Sequence, residues 1–259
     1  MSSTAQRWRD ELAAWAIPPD ILAAAPEPPW GFPVALFHAH AESPDTPSRD
    51  RALEALPEAG DVLDVGCGGG AAGLALVPPA GMVVGVDQGA DLLDDFSTTA
   101  AARGVAHRAV LGSWPDVAAA VEPADVVVCH HVLYNIADLP AFVAALTSHA
   151  RRRVVVELTA THPLATSRTL WQHFHGIDRP TGPTADLAVH VLREAGIEPS
   201  IESWQRPPRD VPREVYVELN RRRLCLPASA DAEIDRVMGP TTWPRDVVTL
   251  WWDVSRPGA

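Results

Sequence analysis

The sequence contains no lysine, because all 21 basic residues among its 259 residues are arginine. This absence excludes enzymes that hold a carbonyl substrate or pyridoxal phosphate as a lysine Schiff base. It also excludes the phosphate-binding lysine of Walker-type loops. Catalysis in this protein therefore has to use other side chains, or chemistry that a cofactor brings.

Cysteines and long apolar segments are also scarce. Cys67, Cys129 and Cys225 are odd in number and far apart, so neither a disulfide framework nor a metal site is expected from them. No run of 18 apolar residues is present, and the amino-terminal residues do not resemble a secretion signal. We therefore expect a cytoplasmic protein that has no membrane partner.

Positive charge is in deficit overall. The formal net charge is −12, so the basic footprint of a nucleic-acid-binding protein is missing. Two local runs of arginine, at 151–153 and 221–223, are expected to be solvated residues at helix ends or on the surface. These features predict a small-molecule substrate and no nucleic-acid partner, and they leave the oligomeric state open.

Short, continuous valine-rich runs alternate with helical patterns through the middle of the chain. Five of these runs are predicted strands, at residues 61–65, 82–87, 106–111, 125–129 and 153–158. Continuous apolar strands are typical of sheets buried on both faces, and their alternation with helices predicts a doubly wound, mostly parallel α/β sheet. Such a sheet binds its ligand at the carboxyl ends of its strands.

The two ends of the chain depart from this alternation. Residues 1–57 are predicted to form an N-terminal helical cap, with helices at 4–16, 19–25, 32–41 and 47–56, ahead of a main domain at 58–259. Residues 197–204 predict a sixth strand and residues 247–252 a seventh. A helical insertion at 206–245 separates them. So long an excursion allows the last strand to enter antiparallel beside the sixth, which predicts a seven-stranded sheet with an antiparallel last strand.

The stretch VLDVGCGGG at residues 62–70 places four glycines within five residues, directly after the first strand. Glycine tolerates positive φ and allows a ligand to reach the main chain. The spacing fits the G-x-G-x-x-G/A pattern of dinucleotide-binding folds, with Ala71 at its end, and equally a D-x-G-x-G-x-G pattern that begins at Asp64. A carboxylate at this point would repel a pyrophosphate and attract an ammonium or sulfonium group. Asp64 therefore favours a cationic ligand.

VLDVGCGGG followed by VVGVD resembles the cofactor-binding half of class I S-adenosylmethionine-dependent methyltransferases, over residues 58 to 160 or so. The resemblance implies that the cofactor is S-adenosyl-L-methionine and that the glycine loop passes beneath its methionine part. It places Asp64 near the amino group and Asp87 against the ribose hydroxyls. The residues that it assigns to the cofactor are Asp64, Gly66, Cys67, Gly68, Gly70, Asp87, Gln88, Ser113, Trp114 and His130.

One part of that assignment departs from the family's pattern. After the third strand the family often has an acidic residue that contacts the adenine, whereas this chain has Gly112, Ser113 and Trp114. Ser113 can still bond the edge of the base. Trp114 either stacks on the adenine or fills the core.

The stretch HHVLYNIAD at residues 130–138 resembles a second pattern of the same family, with Asn135 where a histidine usually stands. Transfer of a methyl group to a hydroxyl usually needs a base that removes the proton, and a histidine suits that role. His131 is the candidate catalytic residue, and O-methylation of a small molecule is the default expectation. The candidate residues for the acceptor are Trp30, Phe32, Phe37, Tyr134, Asn135, Trp171 and His175.

Two alternatives remain open from the sequence. A nicotinamide-dependent oxidoreductase would use the same glycine loop, although Asp64 is misplaced for a pyrophosphate and no lysine completes a Tyr-x-x-x-Lys site. A protein that binds S-adenosylmethionine without transferring its methyl group would keep the same glycines and Asp87. Turnover with candidate acceptors separates the second alternative from an enzyme.

Overall fold

A computed structural model describes residues 3–30, 45–208, 211–241 and 244–254, and within these residues ten α-helices flank one seven-stranded sheet. The strands are β1 (Asp61–Val65), β2 (Met82–Asp87), β3 (Ala106–Leu111), β4 (Ala124–His130), β5 (Ala150–Thr159), β6 (Ser200–Arg206) and β7 (Arg245–Asp253). The helices are α1 (Thr4–Ala13), α2 (Pro19–Ala23), α3 (Pro47–Ala55), α4 (Ala71–Leu74), α5 (Ala90–Ala102), α6 (Leu139–His149), α7 (Arg168–His175), α8 (Ala185–Glu194), α9 (Arg213–Arg223) and α10 (Asp231–Val237). None of these helices is long and apolar enough to cross a membrane.

The strand order is β3-β2-β1-β4-β5-β7-β6. Strands β1 to β5 pair in parallel, whereas β7 lies between β5 and β6 and is antiparallel to both. The predicted fold class, with an antiparallel last strand beside the sixth, is therefore confirmed. The chain adds β2 and β3 on one side of β1 and then β4 and β5 on the other side. In sheets of this kind, the ligand crevice opens where the strand order changes direction, at the carboxyl ends of the strands.

Alternate residues of the central strands supply two separate hydrophobic layers. On one face, buried valines of β1, β2, β4 and β5 pack with Ala52 of α3 and Phe96 of α5. On the other, the intervening residues pack with Trp8 of α1, Phe142 of α6 and Leu192 of α8. Because both faces are covered, the strands need apolar residues at every position, which explains their continuous valine runs.

The described residues among the first 57 are spread over several packing clusters. Trp8 is fully buried against the sheet layer and donates its indole N–H to the Ile136 carbonyl oxygen at 2.8 Å. Ile17 instead joins a third cluster, which α7, α9 and α10 complete. Residues next to α2 thus pack with the predicted insertion, and the division at residue 58 into cap and main domain stays a proposal.

Several predicted bounds differ from the structure. The helix expected at 4–16 ends at Ala13, and the helix expected at 19–25 ends at Ala23. Arginines 151–153 begin β5 rather than ending a helix, and the first of them pairs with Asp61 at 2.9 Å. The helix predicted at 32–41 lies outside the described residues.

Candidate functional site

Buried polar side chains line one face of the sheet at the carboxyl ends of its strands. Asp64, Glu157 and Thr249 are at most 1% exposed, although they stand in valine-rich strands. Glu157 pairs in register with His130 on one side and with Thr249 on the other. Directly paired residues point to the same face. The sheet therefore assembles a polar row of Asp64 on β1, His130 on β4, Glu157 on β5 and Thr249 on β7.

Two glycines of the glycine loop have different steric surroundings. Gly66 has φ +70°, and a Cβ there would lie 2.3 Å from a methyl carbon of Val132, so the protein itself excludes a side chain. Gly68 has φ +52°, and a Cβ there would meet no atom of the described residues within 4 Å. The loop therefore packs closely at Gly66 and leaves open space beside its main chain at Gly68, where a ligand can approach.

Asp64 carries a buried oxygen that has no protein partner. Its Oδ2 accepts the main-chain N–H of Gly73 at 2.7 Å, whereas Oδ1 is buried and bonds no group of the described residues. Burial raises the pKa of Asp64 to about 7, and the nearby charge of Asp87 adds to that rise against the Gly73 hydrogen bond. A positively charged ligand group would satisfy Oδ1 and favour the ionised form. This oxygen fits the ammonium expected of the cofactor.

Asp87 ends β2 beside the same loop. Its Oδ2 accepts the Gly68 N–H and its Oδ1 accepts the Gly89 N–H, each at 2.9 Å. A carboxylate has about four acceptor positions, so both oxygens keep capacity for further donors such as hydroxyls. Gln88, next in the chain, is exposed. The carboxylate both holds the loop and faces the space that the loop leaves open.

The two residues predicted to contact the adenine have different surroundings. Ser113 is exposed after β3. Trp114 is 7% exposed and meets His149 edge to face, with ring centroids 4.8 Å apart, and its indole nitrogen has no hydrogen-bond partner among the described residues. Trp114 belongs to a core cluster, so the packing favours the core role over stacking on a base.

His130 and His131 diverge after β4. The Nε2 atom of His130 is buried without a partner among the described residues, and burial lowers the pKa of this histidine to about 4 against the opposing charge of Glu157. His131 has φ +62°, which is uncommon for a residue other than glycine. Its side chain is 32% exposed, and its Nε2 lies 2.9 Å from Glu157 Oε1, off the ideal hydrogen-bond direction. Backbone strain of this kind clusters at functional sites.

Glu157 is a functional candidate that sequence reasoning missed. Its Oε2 accepts the hydroxyl of Ser48 at 2.7 Å, and its Oε1 pairs with the guanidinium of Arg206. Burial alone would raise the pKa of Glu157, but interactions with His130, His131 and the Arg206 guanidinium outweigh burial and hold that pKa below its usual range. The signal in the sequence was a charged residue inside VVVEL, a run otherwise typical of a buried strand.

The predicted acceptor residues that the structure describes have different surroundings. Tyr134 is 6% exposed, stacks on Trp8 and donates its hydroxyl to the Thr159 carbonyl oxygen at 2.7 Å. Trp171 is also buried. The structure places the remaining predicted residues as follows: Asn135 is exposed, Trp30 is 55% exposed, His175 bonds the Leu224 carbonyl oxygen through Nε2, and Phe32 and Phe37 lie outside the described residues.

Metal binding finds no support in the described part of the chain, which holds no group of three metal-ligating side chains. His38 and His40 lie outside the described residues, whereas His162 and His173 make structural contacts. His162 stacks on Trp15 with ring centroids 4.6 Å apart, and His173 pairs with Glu233 at 2.8 Å. These contacts separate them from the polar row at the strand ends.

Comparison with known proteins gives the same picture as the geometry. Residues 62–153 match a family model described as a methyltransferase domain. The YcgJ protein from Bacillus subtilis has 15% identity and a TM-score of 0.55, over 81% of this chain and 98% of that one. Magnesium protoporphyrin IX methyltransferase from Synechocystis, solved with bound SAH, has 17% identity and a TM-score of 0.51, over 84% of each chain. No curated protein matches the chain in sequence.

Proposed function

We propose that this chain, of which residues 62–153 match a methyltransferase-domain model, is a class I S-adenosylmethionine-dependent methyltransferase that transfers a methyl group to a hydroxyl of a small-molecule acceptor, with His131 as the base. The observation that carries this proposal is His131 itself. Its backbone has φ +62°, its ring nitrogen lies 2.9 Å from the buried carboxylate of Glu157, and part of its side chain reaches the surface. A histidine held in this way suits proton removal.

The cofactor half of the site would be formed by the residues around the glycine loop. Asp64 Oδ1 would take the ammonium group, the main chain at Gly68 would lie against the methionine part, and Asp87 would accept the ribose hydroxyls. His130, with its buried Nε2, would line the methionine end. When bound, S-adenosylmethionine supplies a methyl group already activated by a positively charged sulfur.

The acceptor half has to orient a hydroxyl and take its proton. His131 would accept that proton at its free ring nitrogen as the hydroxyl oxygen takes the methyl group. The bound cofactor would supply the methyl group and would be released as a neutral thioether, S-adenosylhomocysteine. The proton then passes from the histidine to solvent, since the side chain is 32% exposed. Glu157 and the Nε2 atom of His130, which lie in the polar row beside His131, are buried and so have little contact with water.

Charge supports a small molecule as the acceptor. The net charge of −12 disfavours a nucleic-acid substrate. The cytoplasmic location without a membrane partner, which the sequence predicts, stays part of this proposal. Among the described residues, no helix is long and apolar enough to cross a membrane.

The first experiment tests the cofactor and the reaction separately. Mass spectrometry of denatured purified protein should detect S-adenosylhomocysteine, and titration calorimetry should show binding of S-adenosylmethionine but not of a nicotinamide dinucleotide. A panel of small molecules that carry phenolic or aliphatic hydroxyls, amines or thiols is then tested for formation of S-adenosylhomocysteine. Turnover with amines or thiols only would contradict O-methylation. Binding without turnover by any acceptor would favour a non-catalytic cofactor-binding protein.

A further inference from the structure

We propose that Glu157 is the positioning residue for His131 and that Arg206 moderates it, so that the pair sets the pH at which His131 loses its proton. The catalytic part of this inference rests on the proposed function. The part that concerns the protonation of His131 rests only on contacts between β4, β5 and β6.

Glu157 holds residue 131 at two points. Its carbonyl oxygen accepts the His131 main-chain N–H at 2.6 Å, and its Oε1 lies 2.9 Å from His131 Nε2. Because a carboxylate only accepts, the proton of the neutral imidazole is favoured on Nε2, which leaves Nδ1 with the lone pair. The contact therefore selects which ring nitrogen can act as the base.

A chain of hydrogen bonds holds the Glu157 carboxylate in place. Trp204 donates its indole N–H to the Thr249 hydroxyl at 3.0 Å, and the hydroxyls of Thr249 and Ser48 are 2.7 Å apart. Ser48 donates to Glu157 at 2.7 Å, so every donor in the chain can point toward the carboxylate. With Glu157 at 1% exposure, this row leaves the carboxylate little freedom to move.

Arg206 supplies the opposing charge. Its guanidinium contacts Oε1, the same oxygen that faces His131, and lies 5.3 Å from the Trp204 ring. A buried carboxylate without this partner would strongly favour the protonated imidazole, which cannot remove a proton. With Arg206 in place, Glu157 orients the ring while its charge is largely balanced.

Charged groups of the described residues around His131 are few. His130 on β4 and Glu157 on β5 interact electrostatically with His131, and Arg206 on β6 interacts with His130 and Glu157. From α3 and β7, the contacting groups are the uncharged hydroxyls of Ser48 and Thr249. The protonation of His131 is therefore expected to follow the charges of Glu157 and Arg206.

The test compares Glu157→Gln, Arg206→Gln, the double variant and Arg206→Lys. Two midpoints are measured: that of the pH dependence of kcat/KM, and that of the His131 ring signals in an NMR titration, assigned by their loss in His131→Asn. Glu157→Gln should lower both midpoints by about one pH unit, and Arg206→Gln should raise them by about one unit. The double variant and Arg206→Lys should lie close to the unchanged protein.

Glu202→Gln is the matched control, because Glu202 lies on the same sheet face and pairs with Arg51 at 3.3 Å, away from His131. It should move neither midpoint. If Glu157→Gln does not fold, the rise in Arg206→Gln decides the question alone. Loss of stability with unmoved NMR midpoints would overturn the inference. NMR midpoints that move as expected while the rate profile does not follow would support it and show instead that His131 is not the base.

Discussion

The two halves of the strand-end crevice are built in different ways. Around Asp64 and Asp87, the hydrogen bonds join residues 2 to 19 positions apart, and all three donors are main-chain N–H groups of glycines, in or near the glycine loop and after β2. Around Glu157, the bonds join side chains 49 to 201 positions apart. The first half is a local loop, whereas the second exists only when the sheet has brought distant segments together. Cofactor binding and proton removal should therefore be separable by mutation.

The largest expected effect is on His131. His131→Asn keeps a residue that tolerates the left-handed backbone but removes the proposed base, so kcat should fall about 10²–10⁴-fold. The dissociation constant for S-adenosylmethionine, measured by calorimetry, should barely change. If that constant rises strongly instead, His131 contacts the cofactor and His130 is the candidate base. Cofactor binding and proton removal would then not be separable by mutation of His131.

Asp87→Ala tests the cofactor half. It removes the proposed contacts to the ribose hydroxyls and also the acceptor for the Gly68 N–H. A loss of about 2 kcal/mol in binding free energy, about 30-fold in the dissociation constant, is expected from a charged acceptor. Asp91→Ala, an exposed acid in the first turn of α5, is the control and should bind normally. Equal constants for the two variants would show that Asp87 has only a structural role.

A pH dependence of cofactor binding tests Asp64. In the free protein its pKa is raised to about 7, above the unfolded value, so the protonated form contributes stability that is present at low pH and is lost as pH rises toward 7. A cationic ligand needs the ionised form, so affinity should rise by up to about tenfold per pH unit below 7 and then level off. Asp64→Asn should remove this dependence. An affinity that does not vary between pH 5 and 8, roughly the range spanning that pKa, would contradict the proposed ammonium contact.

The smallest expected effect is on Tyr134. Tyr134→Phe removes the hydrogen bond to the Thr159 carbonyl oxygen and keeps the ring against Trp8. Thermal unfolding should show a loss of about 1 kcal/mol, with the KM for the acceptor unchanged. A raised KM for the acceptor without loss of stability would show that Tyr134 contacts the acceptor, as the sequence predicts.

This contrast also explains what could be predicted from the sequence. Asp64, Gly68 and Asp87 are recognisable because one loop and two strand ends contain everything their contacts require. Glu157 stands inside VVVEL and has no local pattern around it, and its partner Ser48 reads as an ordinary residue in the first turn of a helix. Arg206 lies two residues beyond the predicted end of the sixth strand. Their shared position depends on strand register, which the composition of a single strand does not specify.

The place of β7 between β5 and β6 has a consequence for the order in which the protein assembles. As the chain is synthesised, β6 emerges before the strand to which it pairs, and Thr249 emerges after every other member of the Glu157 row. Contacts across such separations form slowly, because the loop between them must close first. A nascent chain can therefore build the glycine loop against β1 and β2 early, while Arg206 and Glu157 stay unpaired until Arg245–Asp253 enters the sheet. The loop proposed to bind the cofactor can therefore form before the final step of folding, whereas His131 acquires its setting beside Glu157 and Arg206 only at that step.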